Sequence, residues 1–71
     1  MDSLTVSLNG RGKTIPRGST ITDTLRIVRV DPSRSGIAVA VNDRVVRRPE
    51  WEACVLADGD RIDVIQATQG G

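Results

Sequence analysis

Leu4, Val6 and Leu8 alternate with Thr5 and Ser7 and run straight into Asn9-Gly10. Strict alternation makes a half-buried strand, because successive side chains point to opposite faces of a sheet. Asn-Gly is the strongest short hairpin signal, since both residues tolerate positive φ. The opening therefore predicts a strand, a tight turn and a return over Lys13-Thr14-Ile15, loosened by Gly12 and stopped by Pro16 and Gly18. A hairpin committed this early in a chain of 71 residues leaves room for one domain. Such a chain buries only about 60% of its unfolded surface, so the core is small and a deep substrate pocket would consume most of it.

A helix is expected next. Thr20 is the N-cap and Asp23 its capping-box partner, an acidic group near the positive end of the helix dipole. Ile21, Leu25 and Val28 fall on one face, and Asp31-Pro32 ends the helix because the residue before proline avoids the α region. Residues 33–36 form a polar connector. Ile37–Val41 is short, apolar and rich in β-branched residues, which marks an interior strand. Asn42-Asp43 turns it and residues 45–48 pair back. Pro49-Glu50-Trp51-Glu52 reads as a short helical turn with proline in its first turn. Asp58-Gly59-Asp60 is a tight turn, residues 61–67 the last strand, and Thr68-Gln69-Gly70-Gly71 a flexible tail. One helix across one face of a mixed sheet of four or five strands is the α+β solution for so few elements. The first and last strands are expected side by side at its centre, in parallel.

Composition removes several functions. Nine of the ten basic residues are Arg, but nine acidic residues balance them and Trp51 is the only aromatic. Nucleic-acid binding needs net phosphate neutralisation and stacking surfaces, and both are scarce. No apolar run, Ile37–Val41 included, is long enough to span a bilayer. Met1-Asp2-Ser3 has neither the basic nor the apolar region of a secretory signal, so a cytoplasmic location is expected. One cysteine makes no internal disulfide, and a chain without histidine lacks both the commonest transition-metal ligand and the usual general base near neutral pH. Enzymatic chemistry of its own is not expected, nor is a bound cofactor or metal.

The terminal Gly70-Gly71 is the conspicuous chemical feature. A frayed end or a cloning remnant is the plain explanation. The functional one is a carboxylate threaded into another protein's active site. Glycine suits that task, because a side chain would block a narrow channel and glycine reaches backbone angles closed to other residues. Four extended residues would carry the carboxylate about 13 Å beyond the strand. A free carboxylate resists nucleophiles, so it must first be activated, for instance as an acyl-adenylate.

Cys54 lies in the apolar stretch Ala53-Cys54-Val55-Leu56 without a neighbouring His or Lys, and reads as a buried small hydrophobe. Trp51 is expected at the core edge or as a lid. Asp58, Asp60 and Asp63 lack the spacing of a calcium loop. Arg44, Arg47 and Arg48 form a short basic cluster, either a solvated edge or a docking site for an acidic partner. On the final strand, Ile62 and Val64 belong to the core, which turns Arg61, Asp63, Ile65 and Ala67 outward. Exposed Ile65 beside Ala67, just before the tail, is the expected partner-docking patch.

The segment Val39-Ala40-Val41-Asn42-Asp43-Arg44-Val45-Val46-Arg47-Arg48-Pro49-Glu50-Trp51 resembles the middle of the sulfur carrier proteins of thiamin biosynthesis. Leu56-Ala57-Asp58-Gly59-Asp60-Arg61-Ile62-Asp63-Val64 is similar to that family's approach to its last strand. Gly18-Ser19-Thr20-Ile21 with Leu25 resembles its helix start, and Gly70-Gly71 its terminus. The resemblance covers nearly the whole chain and rests on the order and spacing of these segments. It departs at Ile65, where some relatives carry an aromatic, and at Thr68-Gln69, where a more apolar pair is usual.

The resemblance implies a ubiquitin-like β-grasp fold and a defined cycle. A ubiquitin-activating-like adenylyltransferase, using ATP and magnesium, adenylates Gly71. A sulfur-delivering enzyme, through a persulfide, converts it to a thiocarboxylate, and thiazole synthase takes the sulfur. Residues 1–67 would be the β-grasp domain and residues 68–71 the tail. Three alternatives stand beside it: the carrier that feeds molybdopterin synthase, whose chains are usually longer and richer in Phe; a protein modifier joined to lysines through Gly71; and a non-covalent binding module.

Overall fold

The structure is a computed structural model and describes residues 2–67. β1 (Ser3–Leu8) and β2 (Arg11–Pro16) form the antiparallel hairpin, with Leu4 opposite Ile15 and Leu8 opposite Arg11. Asn9 and Gly10 take φ of 50° and 83°, the pair of left-handed residues that a turn matched to strand twist requires. Gly12 lies within β2, and Pro16 is its last residue. β2 is an edge strand, where proline is tolerated.

α1 (Ile21–Ile27) begins where its capping residues predict. Thr20 Oγ1 accepts from Asp23 N at 3.1 Å and Asp23 Oδ2 accepts from Thr20 N at 3.1 Å, so two otherwise unpaired donors are satisfied reciprocally. The end of the helix differs from expectation. It stops at Val28, three residues before Asp31. Arg29 adopts φ 63°, Arg29 N donates to Arg26 O at 3.0 Å, and Val30 N donates to Leu25 O at 2.8 Å. This is the Schellman stop, which usually carries glycine; an arginine in that position conceals it from a reading of residue types. Val30 then folds back onto the core.

β3 (Ile37–Val41) turns through Asn42 and Asp43, at φ 51° and 70°, into β4 (Arg44–Val46). β4 is shorter than the expected 45–48, because Arg48 opens a 3-10 turn, Arg48–Glu50, around Pro49. Trp51 follows and is a full core residue rather than a rim or lid. Its indole N–H donates to Val46 O at 2.8 Å, and that satisfied polar tip permits complete burial.

β5 (Arg61–Gln66) completes a five-stranded mixed sheet in the order β2-β1-β5-β3-β4. It runs parallel to β1, with Leu8 opposite Ile62, and antiparallel to β3, from Ile37–Gln66 to Val41–Ile62. Leu4, Val6, Ile15, Val39 and Ile62 meet Ile21 and Leu25 of the helix, together with Trp51 and Leu56, in one core. Each fully buried aliphatic side chain contributes about 1.5–3 kcal/mol, so nine residues carry most of what holds the sheet to its helix. Among the described residues no helix is long and apolar enough to cross a membrane.

Candidate functional site

The strand that leads to residue 67 is held from both sides by backbone and side-chain bonds. Asn42 N donates to Arg61 O at 2.7 Å, and Asn42 Oδ1 accepts from Arg61 N at 2.9 Å. Asn42 Nδ2 donates to Asp60 Oδ1 at 3.0 Å, and Asp60 Oδ2 accepts from Ala57 N at 2.7 Å. Asp58 Oδ1 accepts from Thr5 N at 2.8 Å. The carboxylates of the Asp58-Gly59-Asp60 turn are thus spent on β5's entrance, as ordinary turn chemistry predicts. Among the described residues there is no cluster of three or more His, Cys, Asp or Glu suited to a metal ion.

Alternation along β5 follows the expected register. Ile62 is buried and Val64 half-buried against the core, while Ile65 is 64% exposed. Ile65 stands opposite Ala38, and Ala40 lies between Asp63 and Val45 on the same open face. Val45 is 72% exposed, so the open face carries two projecting aliphatic side chains above small alanines. Ala67 is also exposed, just past the end of β5. Arg61 pairs with Asp43 and lies 3.9 Å from Asp63; the hydrogen bond from Arg61 to Asp43, then the Asp43 charge, hold its guanidinium above the usual pKa. Thr68, Gln69, Gly70 and Gly71 lie outside the described residues.

Cys54 is half-buried rather than fully enclosed. It borders a cleft of about 380 Å³ with Val41, Asn42, Arg44 and Val46. Burial first, then the charges of Asp60 and Glu50, push its thiol above the ordinary value, the opposite of what a nucleophile needs. Of the basic cluster, Arg44 and Arg47 are exposed, but Arg48 has a definite place. Its guanidinium stacks 4.5 Å from the Trp51 ring centre and donates to Pro32 O and, at 2.6 Å, to Arg34 O. Residue types place Arg48 only in a basic cluster; its role as a strap depends on the Pro32 and Arg34 carbonyls coming within reach.

A five-stranded mixed sheet with its last strand central and one helix on its core face defines a ubiquitin-like β-grasp protein. Two solved structures agree. The crystal structure of a thiamine biosynthesis protein (ThiS) from Geobacter metallireducens superposes with a TM-score of 0.79 at 23% identity, covering 96% of this chain and 100% of that one. The solution structure of a thiamine biosynthesis protein from the same organism gives 0.78 at 23% identity, covering 96% and 88%. The chain belongs to the ThiS family, whose sequence profile matches residues 6–71. The sulfur carrier protein ThiS of Escherichia coli (strain K12) is 29% identical over 66 residues, 93% of this chain and 97% of the relative.

Proposed function

We propose that this chain is a sulfur carrier for thiamin biosynthesis and that the carboxylate of Gly71 is the carrying group. The observation that carries this reading is the family match, which extends through Gly70 and Gly71. It also favours the thiamin pathway over the molybdopterin carrier, and a carrier over an enzyme. The Gly71 carboxylate attacks the α-phosphorus of ATP and pyrophosphate leaves. The terminal sulfur of an enzyme persulfide then attacks the acyl carbon and AMP leaves. Reduction of the resulting acyl disulfide by a second thiol releases the thiocarboxylate, whose sulfur goes to thiazole synthase.

In this reading ATP and magnesium belong to the adenylyltransferase, and the cycle runs in the cytoplasm. Ile65 and Ala67 form the docking patch, and Thr68, Gln69 and Gly70 lead the carboxylate into the partner. The carrier itself supplies no catalytic side chain.

The test is deletion of Gly71. The truncated chain should melt at the same temperature as the full chain, yet support no ATP–pyrophosphate exchange by the activating enzyme of the same organism. Intact mass of the full chain, after incubation with that enzyme, ATP and a persulfide source, should rise by the exchange of one oxygen for sulfur. Normal exchange by the truncated chain would sink the reading.

A further inference from the structure

Among the described residues, Ala67 is tied to the neighbouring strand's approach by one backbone hydrogen bond. Its N–H donates to Gly36 O at 2.7 Å, one rung beyond the Ile37–Gln66 pair that ends the β3–β5 ladder. Gly36 takes φ 80°, and a Cβ placed on it would lie 3.4 Å from Ala67 Cβ and 3.5 Å from Ala67 O. A Cβ there would therefore only reach ordinary contact with Ala67; the constraint on Gly36 is its left-handed backbone, held directly beside the end of β5.

The loop that carries Gly36 is braced from the opposite side. Asp31 Oδ1 accepts from Ser33 N at 2.9 Å and from Ser33 Oγ at 2.7 Å. Arg48 donates to the carbonyls of Pro32 and Arg34 while stacked on Trp51, which is a core residue. Contacts thus lead from Trp51 through Arg48 to the 32–34 backbone, the chain itself continues through Ser35 to Gly36, and Gly36 holds Ala67. Within the chain as a whole, Ala67 is the residue from which Thr68-Gln69-Gly70-Gly71 continues.

We propose that Gly36 is a positioning residue for sulfur loading: by holding Ala67 N–H, its carbonyl fixes the residue to which the carrying terminus is joined. The proposal rests on the carrier reading, since only there does delivery of the Gly71 carboxylate matter. Each residue released at the root adds conformational freedom that must be surrendered when the terminus enters a partner's active site. Gly36 touches neither ATP nor the reacting carbon, so its effect belongs in the encounter, not in the chemical step.

The experiment uses the full chain with the activating enzyme of the same organism. Gly36→Ala places an L side chain at a positive φ and against Ala67, whereas Asn is the non-glycine residue best suited to left-handed backbone. Gly36→Ala should speed hydrogen exchange of the Ala67 amide and raise the KM for the carrier in ATP–pyrophosphate exchange. Both changes should be about two- to tenfold, the ratio one net hydrogen bond supplies, with kcat unchanged. Gly36→Asn should restore both toward wild type. Arg48→Met, which releases the loop from the other side, should reproduce the Gly36→Ala pattern if that variant does not fold.

An Ala67 amide that stays protected, or a KM that does not follow its release, overturns the proposal. So does a loss confined to kcat. If the wild-type chain itself supports no exchange, the carrier reading fails and the proposal with it. Altered Ala67 protection with unaltered kinetics removes the proposal alone.

Discussion

Asn9 pairs with Val64 in both directions: its Oδ1 accepts from Val64 N at 2.8 Å, and its Nδ2 donates to Val64 O at 3.2 Å. The side-chain amide therefore acts as one more residue of β1. It extends the parallel β1–β5 ladder, whose backbone register ends at Leu8 opposite Ile62. A turn residue chosen for its positive φ is also a clip on the central strand.

Asn9→Gly should separate those two roles. Glycine keeps the φ of 50° accessible, so the hairpin survives while both bonds to Val64 are lost. At about 0.5–1.5 kcal/mol net per bond, the loss of two should be about 1–3 kcal/mol in urea denaturation. Asn9→Asp, which keeps only an acceptor, should fall between. A denaturation midpoint unchanged in Asn9→Gly would mean that the clip is ornamental.

A charge placed at neighbouring positions of β5 should have opposite consequences. Ile62 is 1% exposed between Leu8 and Val41 in the flanking strands. Ile62→Asp buries an unpaired carboxylate and should cost about 4 kcal/mol or more, enough to unfold a domain of this size. Ile65→Asp lies on the open face and should cost about 1 kcal/mol or less, the span of strand preference. If the open face receives the activating enzyme, Ile65→Asp should weaken that docking about tenfold or more, because a buried isoleucine is worth about 1.5–3 kcal/mol. Thermal melts report the first effect and titration with the partner the second. Melting by Ile65→Asp with tolerance of Ile62→Asp would invert the assignment of faces.

Cys54 makes a prediction about pH. Its thiol is raised by burial, with smaller contributions from Asp60 and Glu50, so the folded state holds the proton more tightly than the unfolded chain. Stability from this group is complete below the unfolded thiol's range and declines as pH rises through that range and the folded pKa above it. Cys54→Ala should remove that alkaline decline, lower stability at neutral pH by about 1 kcal/mol, and leave loading at Gly71 intact. Alkylation near pH 8 should be slower in the folded chain than in urea. Faster alkylation when folded would show an activated thiol.

The elements legible from residue types are those decided within a few positions of chain. Asn9-Gly10 and Asn42-Asp43 both form turns with positive φ, because their allowed backbone angles are a property of the residues themselves. Thr20 and Asp23 start α1 by bonding each other's backbone. The alternation of Arg61–Gln66 assigns its faces because strand geometry has a period of two. Gly70-Gly71 lies within the stretch that the family profile matches.

What the residues alone concealed depends on contacts outside the element that carries each residue, some of them distant in the chain. Arg29 stops α1 in a position that glycine usually fills, which is affordable once Val30 is drawn onto the core. Trp51 is a core residue, not a rim, because Val46 O lies where its indole N–H must point. Arg48 is a strap because the Pro32 and Arg34 carbonyls come within its reach. Asn9 meets Val64 across 55 positions of sequence, and Gly36 meets Ala67 only where β3 and β5 end together. Local backbone preference acts through covalent neighbours and is written in residue order. The Asn9–Val64 and Gly36–Ala67 contacts exist only once the sheet has closed around β5, and their geometry belongs to the assembled fold.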